Sequence, residues 1–176
     1  MQFGLERERL LLVLAILFAT AAIAAAWSFE IYGGYAPCAL CLRQRLPYYL
    51  GIPLFLIALI SPRIAKAPTI IAAVAFIFGG ALGMFQSGAE WKWWDGPSQC
   101  GGAPLITESA EALLAQIAKT RVVSCSDAPW RFLGLSFAGW NAVVSFCVAG
   151  LAFASAAGNR HRQAAEFDHP RTAAGV

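Results

Sequence analysis

A chain of 176 residues that is 59% hydrophobic and only 13% charged carries more apolar side chains than one small water-soluble core can hide, so a bilayer is its natural solvent. Its formal net charge of +3 is spread over both ends and several loops, without the basic face that nucleic acid requires, and nucleic-acid binding is set aside.

The first apolar stretch, 10–29, follows Arg7 and Arg9. At about 1.5 Å per residue the helix from Leu10 to Trp27 reaches roughly 27 Å, close to the ~30 Å of a bilayer's hydrocarbon. It contains Ala24-Ala25-Ala26, which imitates a signal-peptide cleavage site, but the apolar run exceeds the roughly 7–15 residues of a signal core, so a retained anchor is expected. A loop over 30–41 carries Cys38-Ala39-Leu40-Cys41. The second span, 42–60, becomes long enough if its helix begins near Cys38 to Leu42, which places the cysteine pair in its first turns. Pro47 and Pro53 are tolerable there because neighbouring helices can satisfy the carbonyls they leave free. A tight connection with Arg63 and Lys66 leads to the third span, 69–86.

The long loop 87–131 holds Cys100 and Cys125. Within it, Leu113, Leu114 and Ile117 recur at helical spacing behind Glu108 and Glu111, predicting a short amphipathic helix over 107–119. Trp91, Trp93, Trp94 and Trp130 place this loop against the membrane interface. The fourth span is 132–157, and the polar tail 158–176 is expected to be mobile. The expected fold is an all-α membrane protein: one domain, a four-transmembrane-helix bundle with a long extracytoplasmic loop bearing a short interfacial helix.

Lysines and arginines are nearly balanced between the two sides, so they do not orient the bundle. The cysteines do. All four loop cysteines fall opposite the termini, and thiols that pair must face an oxidising compartment, so that side is expected to be extracytoplasmic and both termini cytoplasmic. Arg43 and Arg45 then sit where cations are least expected.

Cys38 and Cys41 at a helix start share a face, and their sulfurs can close a disulfide. The helix N-terminus favours a thiolate, and Arg43 and Arg45 are expected to add to this. The alternatives are half of a metal site or a structural staple, but no histidine or second C-x-x-C lies nearby to complete a zinc shell, and no metal is expected. A Cys100–Cys125 bridge would stabilise the fold by about 3.5 kcal/mol as a plain staple. Against that, Cys100 sits in Asp95-Gly96-Pro97-Ser98-Gln99-Cys100-Gly101-Gly102, an exposed setting that a partner thiolate can reach. Cys147, within the last span, reads as a small buried hydrophobe.

Pro37-Cys38-Ala39-Leu40-Cys41 followed by Arg45 resembles the DsbB family. So do Ser87-Gly88-Ala89-Glu90-Trp91 before Gly96-Pro97-Ser98-Gln99-Cys100, and Val122-Val123-Ser124-Cys125 before Trp130-Arg131-Phe132-Leu133-Gly134-Leu135-Ser136, with Gly139-Trp140-Asn141. The resemblance covers roughly 10–157. It implies a bacterial inner-membrane thiol oxidase that reoxidises a periplasmic, thioredoxin-fold DsbA-like dithiol and passes the electrons to a quinone, ubiquinone or menaquinone. It further implies that the partner attacks Cys100, that the released Cys125 attacks Cys38, and that Cys41 meets the quinone with Arg45 stabilising the charge. Where family members often carry a histidine at the end of the third span, this chain has Gln86, a candidate quinone contact that cannot shuttle a proton. Two alternatives stay open: a DsbI-like oxidase dedicated to one secreted substrate, and a non-catalytic membrane scaffold stapled by two disulfides.

Overall fold

A computed structural model describes residues 2–96, 109, 111, 121–122 and 125–173. Four long helices dominate: α1 (Gln2–Ile31), α2 (Ala39–Ile60), α3 (Lys66–Glu90) and α4 (Phe137–Ala173). Between them lie four two-residue strands, β1 (Tyr35–Ala36), β2 (Arg121–Val122), β3 (Arg131–Phe132) and β4 (Leu135–Ser136). The helices pack chiefly as a ring, α1 against α2 and α4, and α3 against the same two.

Among the described residues, three helical segments are long and apolar enough to cross a membrane: Glu6–Ile31, Lys66–Glu90 and Phe137–Gly158. The 22 residues of α2 would extend about 33 Å. Arg43, Gln44 and Arg45 in its first two turns lower its hydropathy, so composition alone does not mark it as a span. Leu17, Phe18, Leu50, Ile57, Ile71 and Phe78 are exposed around the bundle, the apolar exterior that hydrocarbon covers.

The interior is built from small residues and two rings. Ala15 and Ala19 of α1, Ala72 and Ala73 of α3, and Ala149 and Ala152 of α4 are buried and let the backbones approach closely. Phe55 and Phe76 stack at 5.9 Å, and Tyr48 meets Phe76 edge-on at 5.0 Å. Gly51 leaves room for the Phe76 ring, which a β-carbon there would strike.

The boundaries differ from the apolar runs in three places. Helix α3 continues past 86 to Glu90, a further turn that carries a buried carboxylate inward. Residues 131–136 form an antiparallel hairpin instead of the start of the fourth helix, because Leu133 and Gly134 take φ of 51° and 84°, the two left-handed residues of a tight two-residue turn. The polar tail, expected to be mobile, continues α4 as helix to Ala173. The amphipathic helix expected over 107–119 lies outside the described residues, apart from Ser109 and Glu111.

Candidate functional site: a buried dithiol beside a polar cavity

Cys38 ends the extended segment after β1 and is the N-cap of α2: its sulfur accepts the Cys41 backbone N–H at 3.2 Å. The two sulfurs lie 2.7 Å apart, both as free thiols. Hydrogen bonding to Cys41, and then burial, hold the Cys38 thiol well above its ordinary range. Of the pair, Cys41 is therefore the sulfur suited to carry the thiolate, at a helix start where unpaired N–H groups favour negative charge.

The long loop returns to this pair. Strand β2 runs parallel to β1, with Tyr35 opposite Arg121 and Ala36 opposite Val122, just ahead of Cys38 on one strand and Cys125 on the other. Lys92, at the end of α3, donates to the Ser126 carbonyl at 2.8 Å and pairs with Asp127 at 2.9 Å, fixing the chain beside Cys125 from the other flank. As a result Cys38, Leu40 and Cys125 form one buried cluster, with Cys41 packed against it. Cys38 and Cys125 are both 0% exposed, and Cys125 is disulfide-bonded. Cys100 lies outside the described residues.

Beside Cys41 a cavity of about 110 Å³ opens between α1, α2 and α4, walled by Phe29, Tyr35, Tyr48 and Phe137. Glu30, Cys41, Gln44, Arg45 and Asn141 supply its polar edge. Arg45 pairs with Glu30 of α1 at 2.5 Å and lies over the Trp27 ring at 6.0 Å, so the guanidinium is held at the cavity wall. Arg43 is exposed and does not line the cavity, being two residues from Arg45 and so on the opposite side of the helix.

Gln86 is 1% exposed and belongs to the bundle interior, not its interface. It does not line the cavity. Its Nε2 donates to Glu90 at 3.3 Å and to the Cys41 sulfur at 3.8 Å, while its Oε1 accepts from Gln44 at 2.8 Å. Cys147 corrects the sequence expectation: it is exposed on α4, because Ser145, Val148, Ala149 and Ala152 take the inward face and turn position 147 outward to lipid.

Sequence reasoning missed Glu30, Gln44 and Tyr48, and met Asn141 only within Gly139-Trp140-Asn141, without a role. The available signal was polarity in an apolar span, which is costly unless partnered and so marks a working interior. The site thus consists of a dithiol in a helical membrane bundle, a third cysteine packed on it, and a cavity edged with a guanidinium held by a carboxylate.

Comparison with known proteins agrees with that class. The family model for disulfide bond formation protein DsbB matches residues 8–155. Similar curated proteins include disulfide bond formation protein B of Methylococcus capsulatus (strain ATCC 33009 / NCIMB 11132 / Bath), 30% identical over 84% of this chain and 91% of the relative. The protein of the same name from Xanthomonas campestris pv. campestris (strain 8004) is 33% identical over 76% of this chain and 80% of its own length. That from Xanthomonas oryzae pv. oryzae (strain MAFF 311018) is 33% identical over 65% and 70%. No solved structure matches the chain. The chain belongs to the DsbB family of disulfide bond formation proteins, and with it to the membrane disulfide oxidoreductases.

Proposed function

We propose that the chain is a quinone-linked thiol oxidase of the bacterial inner membrane, crossing it four times with Cys38, Cys41, Cys100 and Cys125 on the periplasmic side and both termini in the cytoplasm. It reoxidises a DsbA-like dithiol protein and so generates disulfides de novo. The observation that carries this reading is the single buried cluster of Cys38, Leu40 and Cys125, with Cys41 at its edge facing the Arg45 cavity.

The chain's own steps follow from that arrangement. A partner thiolate attacks Cys100 of a Cys100–Cys125 disulfide, releasing Cys125 as a thiolate. The partner's second thiol then displaces Cys100, and the partner leaves oxidised. Cys125 attacks Cys38 of a Cys38–Cys41 disulfide, and Cys41 leaves as the thiolate. Cys100 then attacks Cys125, which restores the loop disulfide and releases Cys38. Two electrons have moved from partner to the C-x-x-C pair. The Cys41 thiolate is favoured by its place at the helix start and by Gln86, whose N–H points at the sulfur.

The cavity fits a quinone head: about 110 Å³ is of the order of the roughly 150 Å³ apolar cavity that accepts benzene, its walls are aromatic, and Arg45 offers donors to a carbonyl oxygen. A bound quinone supplies the two-electron oxidant for the Cys38–Cys41 dithiol. Arg45 stabilises negative charge there at low dielectric, and Glu30 and Trp27 keep its guanidinium in place.

The test is oxidation of a reduced DsbA-like protein by the purified chain with ubiquinone or menaquinone. Wild type should turn over, Cys41→Ser should be inactive, and Arg45→Ala should need about tenfold more quinone. A wild type inert with both quinones while its disulfides stay closed would instead make the chain a stapled scaffold. Turnover confined to one secreted substrate would make it a dedicated oxidase.

A further inference from the structure

Three amide side chains the oxidase steps do not need as reactants join Tyr48 to Cys41 through the bundle. The Tyr48 hydroxyl donates to Asn141 Oδ1 at 2.7 Å, Asn141 Nδ2 donates to Gln44 Oε1 at 2.8 Å, and Gln44 Nε2 donates to Gln86 Oε1 at 2.8 Å. Gln86 Nε2 then faces the Cys41 sulfur at 3.8 Å and Glu90 Oε1 at 3.3 Å. Tyr48, Gln44 and Gln86 are buried, so each amide must be satisfied within the bundle.

An amide can be turned over by exchanging its oxygen and nitrogen, so the direction of this chain has to be decided by groups that cannot be turned. One end supplies such a group. Asn141 Nδ2 also donates to the backbone carbonyl of Gly79 at 3.4 Å, and a carbonyl only accepts, so the Asn141 amino group must lie on that side. That leaves Oδ1 for Tyr48 and sends the second N–H to Gln44. At the other end Glu90 does not decide it: burial pushes its carboxyl up, and a protonated carboxyl donates as well as accepts. Gln44 is the link: its oxygen faces Asn141, which forces its amino group toward Gln86, which forces the Gln86 amino group toward the sulfur.

We infer that Gln44 is a positioning residue for the thiol chemistry, holding Gln86 so that an N–H and not a carbonyl oxygen is presented to Cys41. An N–H beside the sulfur stabilises its thiolate, whereas a carbonyl oxygen there would repel it. With Gln44 replaced by a side chain of similar shape and no amide, Gln86 loses its partner at Oε1 and the thiolate loses a fixed donor. Among the described residues, the remaining titratable or charged groups around the pair and its cavity are Cys38, Cys125, Glu30, Tyr35, Arg45, Tyr48, Glu90 and, against Glu90, Arg131, and the variants below leave all of them in place.

The inference rests on the proposed role of the Cys41 thiolate, but its test needs neither quinone nor partner. The full chain in nanodiscs is reduced, alkylated with iodoacetamide across a pH series, and the labelling of Cys41 followed by peptide mass spectrometry. Gln86→Met should raise the pH midpoint of Cys41 labelling by about half to one pH unit. Gln44→Met should raise it by a similar amount, and the double variant should go no further than Gln86→Met alone, because the two residues act through one contact. Gln86→Leu and Gln44→Leu, read in the same series, keep the test open if a methionine variant does not fold. An unchanged midpoint in the Gln44 variants, or shifts that add in the double variant, would overturn the inference. Loss of turnover in wild type with these shifts intact would overturn the oxidase reading and leave this one standing.

Discussion

The two ends of the bundle solve the same packing problem in opposite ways. Around Phe55 and Phe76 the four helices meet through alanines, one valine and stacked rings, and the buried surface is almost wholly apolar. One to two turns along the same helices, Tyr48, Gln44, Gln86, Asn141 and Arg45 occupy interior or cavity-facing positions and are held by hydrogen bonds and an ion pair. Lipid gives no hydrophobic drive for helices to associate, so close packing of small residues has to hold the first end together. The second end gives up some of that packing for a cavity and a directional set of polar groups. The comparison teaches that stability and chemistry are lodged at different depths of one helix ring, so substitutions should separate them.

The largest effect is expected at the apolar end. Phe76→Ala removes the ring that packs on Phe55, Tyr48 and the Gly51 backbone and should cost about 3–5 kcal/mol, read as a lowered thermal midpoint in detergent. Turnover per folded molecule, measured below that midpoint, should stay close to wild type. A variant that kept its midpoint but lost turnover would break the separation.

An intermediate effect is expected at the polar end. Glu30→Gln leaves Arg45 charged but without its anchor on α1, so the quinone concentration for half-maximal rate should rise roughly fivefold, the equivalent of about 1 kcal/mol for a partly buried pair. Stability should fall little. If Glu30→Gln left the quinone dependence untouched while Arg45→Ala raised it, the ion pair would be packing alone.

The smallest effect belongs to the hairpin that leads into α4. Gly134→Ala at φ 84° should cost about 1 kcal/mol, seen in the thermal midpoint, with quinone dependence and Cys41 labelling unchanged. A change in either activity reading would mean that the hairpin sets the rotation of α4, and through it Asn141.

Four apolar stretches and a cysteine pair at a helix start were legible in the residues alone, because length, hydropathy and capping are local properties. The Cys38-Ala39-Leu40-Cys41 motif lies where its spacing predicted, on the first turn of α2, and Arg45 follows one turn later at the cavity. Helix rotation was not legible. Segments apolar on every side carry little periodicity to mark an inner face, so the sequence could not tell that Cys147 looks outward or that Gln86 looks inward. Nor does local pattern encode partners far apart in the chain: Arg45 with Glu30, Gln44 with Gln86 and Asn141, and Cys125 against Cys38. The sequence by itself determined a membrane protein with a dithiol at a helix start. The tertiary structure alone decided which cation, amides and third cysteine surround it, since those contacts depend on how four nearly uniform apolar cylinders are turned against one another.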